Sequence, residues 1–369
     1  MMNGEVVFFQ LFDVGRYIDL NDIQSIFPGI RDKKIIKTKD TPDYIIIPET
    51  IRVEIEQDVI VKSNILKNFK AQIKLYEDGV ISFIIRIDFV DLPLERFHSI
   101  RNNDINTPDG TLKIENWIKL QFNKIYERSR DYIDFYFHTL DYLESEKYTC
   151  YCITDAFNDP NAFIRENEKY LASFLIGENP ELDLHQNQID NTLENSFSFL
   201  KQDIAIFDFD RCLIIDSTKD YEDLLLIIEL ANFQRLELRT LDLLLDIHLD
   251  NAEDDIRNIF IKSRLLLRRL NKKLGYLFRL RYDFIFILEN LENVSKIIGD
   301  YYLAQIYRHL GKIFRFKQWS EIIRNRMRIL DDIYTTAKST KTDKLILYLE
   351  ILLGVVFTLE FILFLLGLY

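Results

Sequence analysis

The 369-residue chain predicts an α+β protein, with a mixed α/β head, long α-helices forming a stalk and a single C-terminal transmembrane helix. Three observations predict it. The first ninety or so residues carry short runs rich in β-branched and aromatic side chains, separated by turn signals. Between residues 220 and 344 there is no proline, and glycine stands only at 275, 299 and 311, while Leu, Ile and charged residues recur at helical spacing. Residues 345–369, LILYLEILLGVVFTLEFILFLLGLY, form one apolar run that holds two carboxylates, Glu350 and Glu360. The expected divisions are a head at 1–216, a stalk at 217–344 and a membrane span at 345–369.

In the head, Val6–Phe12, Asp43–Ile47 and Ile51–Ile55 read as strands. Ala71–Tyr76 and Val80–Asp88 flank Glu77-Asp78-Gly79, a hairpin turn signal. A helix is expected at about 111–143, then a strand near Tyr148–Ile153. Residues 154–195 concentrate breakers: Asn158-Asp159-Pro160, Gly177 and Asn179-Pro180. SFSFLKQDIAIFDFDRCLIID (196–216) reads as a pair of strands closing the head. Beyond it, helices are expected at about 220–250, 253–296 and 298–340, with the acidic stretch 250–255 separating the first two and the last running on into the span.

The net charge of −12 is unevenly spread. Residues 261–281 hold eight Lys/Arg and no acid, and 312–328 hold six against the single acid Glu321. Arg264, Arg268, Arg269, Lys272 and Lys273, with Lys341 and Lys344 beside the span, form a candidate contact for anionic lipid or another anionic partner. A solvated helix face accounts for the same pattern. Lys338, Lys341 and Lys344 on the N-terminal side of the span place the head in the cytoplasm by the positive-inside rule. Nothing follows the span in the sequence, so insertion tail last is expected, and no signal or transit peptide opens the chain. Cys150, Cys152 and Cys212 make no disulfide framework, and a reducing compartment is the simplest expectation.

The motifs that carry chemistry are weak. AIFDFDRCLIID (205–216) invites comparison with a phosphatase-type DxD strand end, but Arg211 and Cys212 stand where that motif needs a small turn residue and a hydroxyl. The bland alternative is a strand with Asp208 and Asp210 on its wet face. The five histidines are scattered, and no phosphate-binding loop, dinucleotide fingerprint or nucleophile elbow occurs. No catalytic residue, cofactor or metal site is expected.

Two helical segments say more. In ELANFQRLELRTLDLLLDIHLD (229–250), Glu229, Asn232, Arg235, Arg239, Asp242 and Asp246 follow at three- and four-residue steps, laying them on one stripe of an otherwise apolar helix. Charges on such a helix need partners if the helix is buried. Arg239 can reach Asp242 and Asp246 on its own helix, and Arg235 can reach Glu229. The stripe either faces water or forms an interhelical or intersubunit polar seam that sets register. In the span, Glu350 lies near the interface and Glu360 near mid-bilayer, where a carboxylate costs roughly 2.5 kcal/mol or more. Self-association would supply Glu360 with a second Glu360, Thr358 or a carbonyl, and Gly354 permits close approach. A protonated Glu360 in a monomer and a Glu360-lined ion or proton path are the alternatives.

The blocks SFSFLKQDIAIFDFDRCLIID, ELANFQRLELRTLDLLLD, ENLENVSKIIGDYYLAQIYRHL and RMRILDDIYTTA, followed by LEILLGVVFTLEFIL, together resemble a group of bacterial and archaeal tail-anchored membrane proteins related to the required-for-meiotic-nuclear-division family. The resemblance covers about residues 190–365. It implies an α/β head, a helical stalk, one C-terminal span, homo-oligomers, and span carboxylates at Glu350 and Glu360. A more distant architectural similarity is to CorA-type magnesium channels, whose two spans and Gly-Met-Asn loop are missing here. The expected function is a non-enzymatic, homo-oligomeric membrane scaffold that docks a cytoplasmic protein or ribonucleoprotein, with no specific nucleic acid. The alternative is an ion or proton conductor.

Overall fold

The computed structural model describes residues 1–366 apart from 33–34, 37–44, 47–48, 56–59, 62–65, 103, 109, 136–142, 158, 179–182, 262–271, 273–274, 276–280, 283–284 and 286–300. Among the described residues a nine-stranded sheet forms the frame of the head. Its strands are β1 (Met2–Asp13), β2 (Ile30–Asp32), β3 (Thr50–Glu54), β4 (Leu66–Tyr76), β5 (Val80–Leu92), β6 (Ser145–Ile153), β7 (Ser196–Phe197), β8 (Asp203–Phe207) and β9 (Arg211–Asp216). Their spatial order is β7-β8-β9-β6-β1-β5-β4-β3-β2. Every neighbouring pair is antiparallel except β6 and β9, which run parallel with Cys150 opposite Cys212. The β4–β5 hairpin turns where the sequence predicts, and Gly79 supplies the positive φ of 83° that a side chain would strain.

Alternation along β1 builds two cores. Val6, Phe8 and Phe12 face one side, joined by Phe83, Ile85 and Ile87 of β5 and Tyr151 and Ile153 of β6. Helices α1 (Ile114–Ser129) and α3 (Glu168–Ile176) cover that side. Phe12 stacks on Phe122 at 4.0 Å, and Phe174 meets Tyr151 edge-on at 4.7 Å. The expected helix at 111–143 is shorter, because the chain passes through a 3-10 turn at Arg130–Tyr132 into a two-residue strand pairing with Tyr17–Ile18. The breaker-rich stretch 154–195 is more helical than expected. Besides α3 it holds α2 (Pro160–Glu166) and α4 (Gln186–Glu194), since Asp159 caps the first, with Pro160 at its first turn, and Gly177 ends α3 in the left-handed region.

The other side of the sheet carries Glu5, Val7, Phe9, Leu11 and Asp13 of β1, and α5 (Glu222–Ile261) lies along it. Glu222 meets Arg86, the partner of Glu5, and Thr240 lies beside Asp13. Eight strand steps at about 3.3 Å and eighteen helix steps at about 1.5 Å both span roughly 26–27 Å, so the helix follows β1 along its length. Six apolar side chains, Leu224, Leu225, Ile227, Ile228, Leu236 and Leu238, are at most 6% exposed. Their burial contributes on the order of 10 kcal/mol, more than the ion pairs around them can supply net.

The chain divides into two compact units, Met1–Thr240 with Asn290–Lys317, and Leu241–Glu289 with Gln318–Tyr369. The division falls inside α5 rather than at residue 216, because the first turns of that helix complete the second core of the head. Two expected helix boundaries also move. α5 continues through the acidic stretch 250–255 to Ile261, since neither proline nor glycine stands there and Asp or Asn costs a helix only about 0.7 kcal/mol each. The expected helix at 298–340 is instead two, α6 (Tyr301–Ile313) and α7 (Phe316–Leu365), separated at Phe314-Arg315, where Arg315 takes a φ of +58°. The buried Phe314 ring packs edge-on against Tyr148 and Phe209, a tertiary contact at the end of α6, whose last turn also holds Gly311. Most of the expected helix at 253–296 lies outside the described residues.

Candidate functional site

Glu229, Arg235 and Arg239 of the polar stripe all turn toward the sheet. Glu229 is 1% exposed and accepts from Tyr76 Oη at 2.8 Å, Ser82 Oγ at 2.9 Å and the Lys74 ammonium. A carboxylate holding three donors, one of them charged, retains its charge in the interior at lower cost than an unpaired one. Burial first, and then the Glu229 charge, push the Tyr76 phenol well above its ordinary range, so it remains a donor. Arg239 binds Glu144 and Glu146, each at 2.5 Å. Arg235 lies 3.4 Å from Glu146, with its guanidinium 3.8 Å above the Phe209 ring and a hydrogen bond to the Phe209 carbonyl at 3.1 Å. Asn232 is fully buried and donates to the Ile228 carbonyl one turn back.

The pairing expected along the helix, Arg239 with Asp242 and Asp246 and Arg235 with Glu229, is therefore corrected. The arginines pair with Glu144 and Glu146 at the start of β6 because the sheet approaches them directly. Asp242 and Asp246 belong to the second unit and share Arg326 of α7, at 2.8 and 2.6 Å. That pair of carboxylates does join two helices, as the interhelical reading expects, but around an arginine outside the stripe. Lys74, Tyr76, Ser82, Glu144, Glu146 and Arg326 were missed by the sequence reasoning. The signal of those on or beside the strands was charge or hydroxyl at alternate positions, and Arg326 was one basic residue among several on a helix, neither of which announces a partner.

In the second unit α7 ends with Ile346–Leu365, whose mean hydropathy is 2.3 and whose residues are wholly exposed. Among the described residues it is the one helix long and apolar enough to cross a membrane. Glu350, Gly354 and Thr358 are spaced at i, i+4 and i+8 on one stripe, while Glu360 lies on a different part of the circumference. The Thr358 hydroxyl donates to the Gly354 carbonyl at 2.6 Å, so its proton is spent within its own helix. A Cβ added at Gly354 would meet open space. Of the candidate basic contact, Lys272 is helical and exposed, Lys341 and Lys344 lie on α7 just before the apolar window, and Arg264, Arg268, Arg269 and Lys273 lie outside the described residues.

The DxD strand end is a turn. Asp208 Oδ1 accepts the Phe209 N–H at 2.6 Å, Asp210 is paired with Arg211 at 2.8 Å, and the Tyr148 hydroxyl donates to the Asp208 and Arg211 carbonyls. The carboxylates thus brace the β8–β9 connection. A cleft of about 210 Å³ opens nearby between β8, β9, the start of α5 and Tyr302. Its two inner carboxylates are spent on the backbone as well: Asp203 accepts from the Phe199 and Leu200 N–H groups, and Asp216 from those of Thr218 and Asp220.

A family model described as "Uncharacterized protein MJ0711, N-terminal domain" matches residues 3–222. The uncharacterized protein MJ0711 of Methanocaldococcus jannaschii is 32% identical over 219 residues, which make up 59% of this chain and 65% of that protein. No solved structure matches. The matched region is the head, whereas the resemblance seen in the sequence rests on residues 190–365. It ends at the first residue of α5, so the sheet strands of the polar seam lie inside the family segment and the helix covering them lies beyond it. By the match over its head, this chain belongs to the family of the MJ0711 N-terminal domain.

Proposed function

We propose that this protein is a membrane-attached, self-associating scaffold without enzymatic activity, whose head presents a docking surface to a partner at the bilayer. The observation that carries this reading is the wholly exposed apolar window Ile346–Leu365, continuous with a 50-residue helix. An apolar helix of twenty residues is about 30 Å long, the thickness of the hydrocarbon core, and its exposure in water would be strongly unfavourable. Lys341 and Lys344 beside the window favour a cytoplasmic head and contact with anionic lipid. Tail anchoring and kinship with the required-for-meiotic-nuclear-division family, including homo-oligomer formation, belong to the same reading and rest on the sequence resemblance. The turn-bracing roles of Asp208 and Asp210 favour a structural rather than a catalytic use of that strand end.

Carbonate extraction of membranes from expressing cells tests the attachment: the full chain should stay in the pellet, and extraction into the supernatant sinks the proposal. Self-association is tested by native mass measurement in detergent, where Glu360→Leu should reduce the number of copies. An unchanged mass would remove Glu360 from the assembly.

The position of Glu360 inside an apolar window also favours a second reading, a proton or cation path lined by that residue. Liposomes carrying the purified chain should then show a flux that Glu360→Gln abolishes. Absence of flux leaves the scaffold.

A further inference from the structure

We propose that Asp13 is a proton-controlled latch on the docking of α5 against the sheet. The side chain closes the end of β1 and is 2% exposed. One oxygen accepts the Gly15 N–H at 3.2 Å, while the other, Oδ2, is buried without a partner. The Thr240 hydroxyl of α5 beside it is likewise buried without one. A carboxyl group and a hydroxyl thus meet at the last α5 residue of the first unit, in a place closed to water.

The surrounding charges leave Asp13 uncompensated. Glu144, whose carbonyl accepts the Asp13 N–H, and Glu146 of β6 are both held by Arg239 of α5, so that guanidinium is already spent. Glu237 lies one turn earlier on α5, and Glu77 and Asp78 occupy the β4–β5 turn that closes beside β1. Among the described residues the cations of this group are Arg239 and Arg16, which lies beside the β4–β5 turn, set against five carboxyl groups besides Asp13. Burial, joined by the Glu144 charge and opposed by the Gly15 N–H and the neighbouring Thr240 hydroxyl, raises the Asp13 carboxyl to about 7.

A neutral Asp13 fits the closed seam. An ionised one is a buried anion next to Glu144, and water reaches it only if this end of α5 lifts from the sheet. Below about pH 4 the group is protonated whether the seam is closed or open, and opening gains nothing. Between about pH 4 and pH 7 the open form sheds the proton and the closed form keeps it, so opening increases with pH. Above about 7 both forms are ionised and the effect is constant.

Hydrogen exchange of the full chain tests the latch, followed on peptides across residues 228–246 and expressed as protection factors at pH 5 and pH 8. Protection should fall by on the order of 10- to 100-fold toward pH 8, the ratio set by a carboxyl at about 7 closed and 3.8 open. Asp13→Asn should abolish the fall, and Asp78→Asn should retain it. A wild-type profile without the fall, the same fall in Asp13→Asn, or its loss in Asp78→Asn overturns the proposal. Glu144→Gln, which leaves Arg239 its Glu146 partner, should move the midpoint to lower pH. An unmoved midpoint counts against the latch even if Asp13→Asn proves unstable.

Discussion

The first half of α5 and the last turns of α7 are both mostly apolar helices with a few charges, yet their surroundings are opposite. Leu225, Ile228, Ala231 and Leu236 of α5 are nearly or fully buried, and Glu222, Glu229, Arg235 and Arg239 on that stretch meet partners from the sheet. The window Ile346–Leu365 is wholly exposed, and Glu350 and Glu360 make no ion pair among the described residues. Apolar composition therefore states only that a helix avoids water. What replaces the water is decided by whether counter-charges stand at matching positions elsewhere in the chain.

The sharpest way to break the contrast is to charge the exposed helix. Val355→Arg with Leu359→Arg should release the chain from membranes in a pelleting assay, since each arginine costs roughly 2.5–3.5 kcal/mol at the centre of a span. Retention in the pellet would mean that the window is not what holds the protein there. Next in size, Glu229→Ala strips the buried carboxylate from Lys74 and should destabilise the head by about 3–5 kcal/mol, read as a lower urea midpoint. A loss under 1 kcal/mol would show that water enters the seam freely.

Asp13→Asn should have the reverse sign. Because burial holds the Asp13 carboxyl near 7, the wild-type head loses stability as pH rises from about 4 to about 7 and is level above that, on the order of a few kcal/mol in total. The asparagine variant should show a flatter profile and exceed wild type at pH 8 in chemical denaturation. Arg326→Ala, which frees Asp242 and the more exposed Asp246, should cost about 1 kcal/mol in the second unit. The smallest change is expected from Thr358→Val, well under 1 kcal/mol, because its hydroxyl bonds only its own helix. A large drop in copy number for that variant would place Thr358 at a helix–helix contact.

Much of this was legible from spacing. The hairpin turn at Gly79, the alternation of Val6, Phe8 and Phe12, the stripe from Glu229 to Asp246 and the apolar tail are local patterns, because strand and helix periodicities are properties of neighbouring residues. The helices in 154–195 were obscured because Asp159-Pro160 and Gly177, read as breakers, act as a start and a stop. The break at Phe314-Arg315 had only Gly311 as a local signal, while the Phe314 ring packs against Tyr148 and Phe209 there.

By itself the sequence determined that the chain has a strand-rich head, long charged helices and one helix suited to hydrocarbon, because each follows from side-chain period and length. Only the tertiary structure decided that β6 and β9 run parallel, that α5 as far as Thr240 belongs to the head and follows β1, and that Arg239 holds Glu144 and Glu146 rather than its own neighbours. The physical reason is that a buried charge takes the nearest partner in space. Which groups lie near is set by how strands about 60 to 150 residues apart in sequence come together, and no local pattern records it.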